Sequence, residues 1–260
     1  MQTRTGQGDD VTRAMRKLLV LLCFIPVVAA FSAHASEAGY RLDRAPIDSK
    51  DMLSLQAGAR TFVNYCLNCH GAQYMRYNRL TDIGLTEKQI LDNLVLTGAK
   101  VGETMKVSMS AADGKAMFGA APPDLSVIAR ARSADWLYTY LRTFYRDPKS
   151  PTGWNNAAFP QVAMPHALWM LQGERSLEVI KTKDKSGHES TEYKWSQLTP
   201  GTLNTVQYDI VARDLVNFLD YIAEPAASSR KRIGIVVLFF LGFLFIFAYA
   251  LKKEYWKDVK

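Results

Sequence analysis

Cys66 and Cys69 are followed directly by His70, within the stretch "YCLNCHGAQYMRYNRL" at residues 65–80. Cys-x-x-Cys-His is the attachment pattern of a c-type haem, in which each thiol bonds one vinyl group and the histidine binds the iron. Two residues between the cysteines match the span of the two vinyl groups. The motif therefore predicts one covalent haem c.

An iron held by His70 on one face has either a second axial ligand or an open position on the other face. Histidine and methionine together raise the haem potential and suit an electron carrier, whereas an open position suits gas binding or catalysis. Met164 is the favoured ligand because Pro165 follows it directly and restricts the backbone of a Pro-rich stretch. Met75 is too close to the cysteine pair to reach the opposite face. The remaining candidates are Met105, Met109, Met117, Met170, His166 and His188.

Four further residues are predicted to contact the haem. Pro123 lies in a Pro-rich stretch whose carbonyls can accept the second ring N–H of a ligating histidine. Arg132 is favoured over Arg130 as a partner for a propionate, because a guanidinium is shaped to pair with a carboxylate. Tyr77 and Trp136 are predicted to wall the macrocycle, and ordinary core packing is the alternative for both.

Both ends of the chain carry apolar segments. A basic stretch precedes the apolar run 18–30, which leads to Ala-His-Ala before residue 36. This layout predicts a secretory signal peptide over 1–35, with a retained N-terminal anchor as the alternative. Residues 233–251 carry no formal charge. At ~1.5 Å per residue they make a helix of about 28 Å, which matches the ~30 Å core of a bilayer.

These segments predict a signal peptide (1–35), a haem domain (36–229), a transmembrane helix with its flank (230–252) and a tail (253–260). Basic residues flank the helix on both sides, so the positive-inside rule does not orient it. The signal peptide instead predicts a periplasmic haem domain and a cytoplasmic C-terminus. The sequence thus predicts a single-pass protein of a bacterial inner membrane, with the lipid bilayer as a partner.

The formal net charge of +7 does not predict a nucleic-acid partner. Residues 36–229 contain 21 Lys or Arg and 21 Asp or Glu, so their formal charges cancel. The excess lies in the signal segment and beside the membrane helix, where basic residues serve targeting and topology.

A zinc or thiol-redox module is the alternative class for the cysteine pair. Signal cleavage removes Cys23 and His34, which leaves His166 and His188 as further zinc ligands, at a spacing unlike that of a zinc finger. A thioredoxin-like pair belongs at a helix start in a βαβ unit, whereas here a helical pattern precedes it. A plain disulfide leaves His70 unexplained.

Apolar periodicity predicts a mostly α-helical domain with a small β insertion. The predicted helices cover 54–65, 85–96, 133–145 and 208–223, and Asp124 is expected to cap a further helix after Pro122-Pro123. Residues 98–123 and 148–165 show no period and are predicted to be irregular. Alternation on both sides of a polar turn predicts a surface hairpin over 171–203.

Taken together, these features resemble the cytochrome c1 family, the haem subunit of the ubiquinol–cytochrome c reductase (bc1) complex. The residues that carry the resemblance are "YCLNCHGAQYMRYNRL" at 65–80, "APPDLSVIARAR" at 121–132, "AMP" at 163–165, "VARDLVNFLDYIAEP" at 211–225, and "RKRIG" with the terminal "YWKDVK". The attachment motif alone indicates only a haem protein. Its combination with Pro-Pro-Asp-Leu-Ser and a C-terminal anchor is far more selective.

The resemblance implies roles for residues at matching positions. It implies that Cys66 and Cys69 bind haem c, that His70 and Met164 hold the iron, and that Arg132 lies near a propionate. It implies cytochrome b, a Rieske iron–sulfur protein and a soluble cytochrome c or equivalent acceptor as partners, in a dimer of the whole complex.

The chain departs from the family pattern at Met117-Phe118, where polar haem contacts are expected, and at His166 after the Met-Pro pair. The predicted function is transfer of single electrons from the Rieske cluster to a soluble acceptor, as a subunit of a quinol–cytochrome c reductase. No side chain is needed as an acid, base or nucleophile. The alternative among haem proteins is a stand-alone membrane-bound cytochrome c that donates to a terminal oxidase.

Overall fold

A computed structural model describes residues 39–107, 109–183 and 189–258 of the chain. The predicted signal peptide, with Cys23 and His34, lies outside the described residues. So do His188 and residues 184–187 of the predicted hairpin turn.

The fold is mostly helical, with small antiparallel hairpins, as the sequence predicted. The helices are α1 Met52–Thr61, α2 Glu87–Asn93, α3 Ala111–Phe118, α4 Ile128–Arg132, α5 Ala134–Arg142, α6 Trp169–Gln172, α7 Thr205–Ala223 and α8 Ala227–Tyr255. A π-helical turn covers Phe62–Cys66 and a 3-10 helix covers Tyr77–Ile83. The strands are β1 Ala72–Arg76, β2 Thr104–Met105, β3 Phe144–Arg146, β4 Trp154–Asn156, β5 Gly173–Lys183 and β6 Glu189–Pro200.

The core is centred on α1 and α7, which pack closely together. Leu55 and Ala59 of α1 are fully buried, as are Leu215 and Phe218 of α7. Gly58 permits the close approach, because a Cβ built there would lie 2.0 Å from the backbone oxygen of Asp214. The two helices therefore pack backbone against backbone at this point.

A buried polar network joins α1 to α7. The hydroxyl of Ser54 donates to Asp214 Oδ1 at 2.7 Å. The side-chain amide of Asn217 donates to the Ser54 hydroxyl at 3.0 Å and to the carbonyl of Asp48 at 2.8 Å. Because buried polar groups are costly unless they are hydrogen-bonded, these bonds select one register between the two helices.

Helices α4 and α5 pack on another part of α7. Arg142, at the end of α5, donates from Nε and Nη2 to both carboxylate oxygens of Asp209 at 2.6 and 3.0 Å. Its third nitrogen donates to Asp43 at 2.6 Å. The bidentate pair links α5 to α7, and the bond to Asp43 adds the segment before α1.

The predicted hairpin is present as the β5–β6 pair, from Gly173 opposite Pro200 to Lys183 opposite Glu189, with a shift of register between Glu174 and Arg175. Arg175 attaches it to the helical domain by donating to the carbonyls of Arg142 and Phe144. The Arg175 guanidinium also lies 4.5 Å from the ring centroid of Trp195.

Four local predictions were wrong. Residues 98–123 contain α3 and β2, and 148–165 contains β4, which pairs with β3. The aromatic helix ends at Arg142 instead of residue 145, because the following residues enter β3. Asp124 caps no helix; its carboxylate accepts the backbone N–H groups of Gln73 and Ser126.

Among the described residues, one helix is long and apolar enough to cross a membrane. It covers Ser229–Tyr255, with a mean hydropathy of 2.7 and no buried side chains in its apolar window. At ~1.5 Å per residue it is about 40 Å long. It includes the predicted span 233–251 and supports a membrane-anchored protein.

Gly58→Ala should destabilise the domain by about 1 to 3 kcal/mol, because the added methyl group forces α1 away from α7. The free energy of unfolding can be measured by denaturant titration of the detergent-solubilised protein. Gly102→Ala is the control, since no atom lies within 4 Å of its Cβ position. Equal effects of the two substitutions would contradict the close helix contact.

Candidate haem site

The cysteine motif lies on a turn that directly continues α1. The helix widens into the π-helical turn Phe62–Cys66, and the backbone N–H groups of Cys69 and His70 then donate to the carbonyl of Cys66 at 3.0 and 2.8 Å. π-helical turns are frequent at functional sites. Here the tight turn places two free thiols and an imidazole along one cavity.

The imidazole of His70 is oriented by a backbone carbonyl. Its Nδ1 lies 2.8 Å from the oxygen of Pro123. Because a carbonyl only accepts, Nδ1 carries the proton and Nε2 keeps its lone pair for a metal. Burial lowers the pKa of His70, against the opposing effects of the Pro123 hydrogen bond and Asp124. The neutral imidazole is the form that binds iron.

The segment 123–126 is held beside the motif by its own hydrogen bonds. Leu125 N donates to the carbonyl of Gly71 at 2.7 Å. Asp124 accepts from Gln73 N, and the hydroxyl of Ser126 accepts from Tyr74 N at 3.0 Å. Pro123 was predicted to contact the haem, and the structure places it in the cavity wall as the acceptor for the histidine.

A cavity of about 410 Å³ opens in front of the motif. Its walls are mainly apolar and come from separate parts of the chain: Phe118, Leu125, Ile128, Leu137, Leu141, Phe159, Val162, Leu215 and Leu219. Cofactor sites typically have such a volume, with apolar walls and few polar groups. Burial raises the pKa of the Cys66 thiol to about 12, as expected beside such walls.

Met164 lines the same cavity as Cys66, Cys69 and His70, although it lies about ninety residues further along the chain. Of the axial candidates that the structure describes, Met164 alone is among the lining residues. Met75, Met105 and His166 are buried elsewhere in the core, Met117 and Met170 are exposed, and Met109 lies near Gly114. His188 lies outside the described part of the chain.

Arg132 and Trp136 also line the cavity. The guanidinium of Arg132 lies 5.2 Å from the Trp136 ring centroid and 5.7 Å from that of Phe159, so it stacks over both rings. Trp136 Nε1 is buried and has no hydrogen-bond partner within the described residues. A buried N–H donor beside an arginine fits a ligand that carries carboxylates.

Tyr77 lies outside the cavity wall. It is 1% exposed but is not among the cavity-lining residues, because the chain turns away at the 3-10 helix and buries the ring in the core. Its neighbour Tyr74 is 81% exposed. Its position is that of ordinary core packing, the alternative to a place in the haem wall.

Tyr140 is a lining residue that the sequence analysis missed. Its hydroxyl donates to Met164 Sδ at 3.3 Å, and its ring stacks on Trp136 with centroids 4.8 Å apart. Burial raises the pKa of Tyr140. Its spacing of four residues from Trp136 on α5 was the available signal, because residues i and i+4 share one helix face.

The residues that line the cavity fit a haem that is attached covalently through its vinyl groups. The cavity brings together two thiols, a neutral imidazole, a thioether and apolar walls. It adds an arginine and an indole N–H that has no partner in the described part of the chain, and carboxylates can bind to both. This fold and site define a membrane-anchored, mostly helical c-type haem protein.

Comparison with known proteins supports this class of protein. Residues 103–259 match the sequence profile of the Cytochrome C1 family. A cytochrome c1 of Allochromatium vinosum is 48% identical over 246 residues, which cover 94% of this chain and 100% of that protein. A cytochrome c1 of Rhodospirillum rubrum is 27% identical over 286 residues, covering 96% and 100%. A protein of Nitrosomonas europaea named "Ammonia monooxygenase gamma subunit" is 48% identical over 250 residues, covering 94% and 100%.

The chain belongs to the cytochrome c1 family. Members of this family are haem-bearing subunits of the bc1 complex that act in electron transfer, and their cofactor is a c-type haem. The family resemblance and the haem c predicted from the sequence are thus confirmed.

Trp136→Phe should lower the midpoint potential by roughly 20 to 60 mV, equivalent to a two- to tenfold change in the reduction equilibrium. The ring is kept, but the N–H is lost. A propionate then keeps more of its negative charge, which favours the ferric state. Trp169→Phe is the control, because Trp169 is 45% exposed and outside the cavity. Equal potentials in both variants would contradict a contact to the carboxylate.

Proposed function

We propose that this chain receives single electrons from a Rieske iron–sulfur protein and delivers them to a soluble cytochrome c or equivalent acceptor. It does so as the electron-transfer subunit of a quinol–cytochrome c reductase that also contains cytochrome b. The observation that carries the proposal is the single cavity shared by the cysteine pair, His70 and Met164.

In this proposal Cys66 and Cys69 hold the haem through thioether bonds, and His70 and Met164 are the axial ligands. When bound, haem c supplies a one-electron couple, and histidine–methionine ligation gives it a high potential. The chain's own residues fix the geometry: Pro123 orients the imidazole, and Tyr140 contacts the thioether. Apolar walls around these groups limit water, which also favours a high potential.

Arg132 and Trp136 are assigned to the propionates. Both line the cavity, and the Trp136 N–H has no other partner among the described residues. A cation and a buried donor offset the negative charge that an apolar cavity would otherwise make costly.

The proposed topology places 36–229 in the periplasm, 230–252 across the inner membrane of a bacterium and 253–260 in the cytoplasm, after removal of 1–35. The exposed apolar helix Ser229–Tyr255 supports a membrane anchor on the C-terminal side of the haem domain. By family membership the complex is expected to be a dimer.

The name of the Nitrosomonas relative refers to an ammonia monooxygenase. The described residues of the present chain instead combine a haem attachment motif with a thioether in one apolar cavity. That combination supports electron transfer as the function of this chain.

Purification under mild detergent tests the partners. When the tagged full chain is isolated from its native membranes, b-type haem and a Rieske electron paramagnetic resonance signal should copurify, and added quinol should reduce the c-type haem. A c-type haem isolated without either partner would favour the stand-alone cytochrome. A colourless protein after acid–acetone extraction would refute covalent haem attachment.

Met164→Leu tests the sixth ligand. Loss of the thioether should lower the potential by about 0.1 V or more, since axial ligands set haem potentials over a range of roughly 0.8 V. The weak charge-transfer band at the red edge of the ferric spectrum should also disappear. Met117→Leu is the matched control, because Met117 was a competing candidate and is 66% exposed. An unchanged spectrum in Met164→Leu would transfer the role to another residue.

A further inference from the structure

Met164 lines the cavity, and its sulfur also accepts a hydrogen bond from a neighbouring side chain. The hydroxyl of Tyr140, which is 9% exposed, donates to Met164 Sδ at 3.3 Å. A thioether sulfur is only a weak acceptor, but it has two lone pairs. One lone pair can accept this hydrogen bond while the other stays available for a metal.

The ring of Tyr140 packs against two other aromatic rings, those of Trp136 and Phe144. Trp136 stacks on it with an interplanar angle of 12°, and Phe144 meets it edge-on with centroids 5.0 Å apart. Stacked and edge-on aromatic pairs stabilise their arrangement beyond the effect of the area that they bury. The hydroxyl is therefore aimed at the sulfur by a ring that has little freedom to turn.

The same row of rings reaches the backbone next to Met164. Phe144 stacks on His166 with centroids 4.7 Å apart and an interplanar angle of 3°. His166 Nε2 also donates to Gln172 Oε1 at 2.7 Å. The row Trp136, Tyr140, Phe144 and His166 thus holds both the sulfur and the residue two positions beyond it.

We propose that Tyr140 is a positioning residue for Met164: its hydroxyl engages one sulfur lone pair, directs the other at the iron, and raises the haem potential. This inference rests on the proposed function, in which Met164 is an axial ligand. A hydrogen bond withdraws electron density from sulfur. Ferric iron depends more on that density than ferrous iron, so the ferrous state gains.

Tyr140→Phe is the direct test, because it keeps the stacked ring and removes only the hydroxyl. The reduction equilibrium constant should fall threefold to tenfold, which is roughly 28 to 59 mV at ~59 mV per tenfold change for one electron. The charge-transfer band of the ferric protein should move while its intensity is kept. An unchanged potential together with an unchanged band would overturn the proposal.

Tyr208→Phe controls for the loss of any buried phenol. Tyr208 is 2% exposed, and its hydroxyl donates to the carbonyl of Leu141 at 2.8 Å. Removing it should reduce the stability towards denaturant and leave the potential unchanged. A fall in potential equal to that of Tyr140→Phe would mean that general loosening causes both effects, which would overturn the proposal.

A double-variant cycle separates this proposal from the assignment of the ligand. In a Met164→Leu background the hydroxyl of Tyr140 has no thioether sulfur at position 164 to contact, so Tyr140→Phe should cause no further change in potential. A further fall of the same size would show that Tyr140 does not act through the sulfur. If Met164→Leu itself changes nothing, the ligand assignment and the positioning role both fail. If Met164→Leu acts and Tyr140→Phe does not, only the positioning role fails.

Discussion

The close contact between α1 and α7 is the constraint on which the site depends. Helix α1 leads without a break into the turn that carries the cysteine motif, and α7 contributes Leu215 and Leu219 to the cavity wall. Gly58 allows the two backbones to touch, and the buried bonds of Ser54 and Asn217 select one register. Helix α7 thereby positions both sides of the cavity. The turn that carries His70 follows α1, which packs on α7, and Met164 contacts Tyr140 of α5, which also packs on α7.

The sequence predicted those elements whose signals are local. The helical period of α7, the charge-free run in α8 and the alternation of β5 and β6 each lie within one segment, and the structure contains all of them. Helix α3 was missed because it is rich in Ala and Gly and has few buried side chains, so no apolar period marks it. The β3–β4 pair was missed for another reason. Side-chain bonds help to hold it: Asn155 Nδ2 donates to Asp147 Oδ2 at 2.9 Å, and Asn155 Oδ1 accepts from the backbone N–H of Gln161 at 2.9 Å.

The candidate site divides in the same way. The motif specifies Cys66, Cys69 and His70 by spacing alone, and Pro165 marked Met164 as a ligand that the backbone could restrain. Tyr77 lies outside the cavity wall because closeness in sequence to the motif does not fix the direction of a side chain, and the 3-10 helix begins at that residue. Tyr140 was missed because its role depends on a contact across twenty-four residues that no single segment encodes.

The loop that carries Met164 is an irregular segment that side-chain contacts hold in place. It has no regular backbone ladder, and Gln161 has a φ of 60°, which is uncommon for a residue other than glycine. Side chains supply what the backbone does not: Asn156 Oδ1 accepts from the backbone of Ala158 and Phe159, while Phe144 stacks on His166. The entropy cost of ordering this loop is therefore part of the cost of folding the domain. If Met164 binds the iron as proposed, such support would keep the ligand in place when the charge on the iron changes.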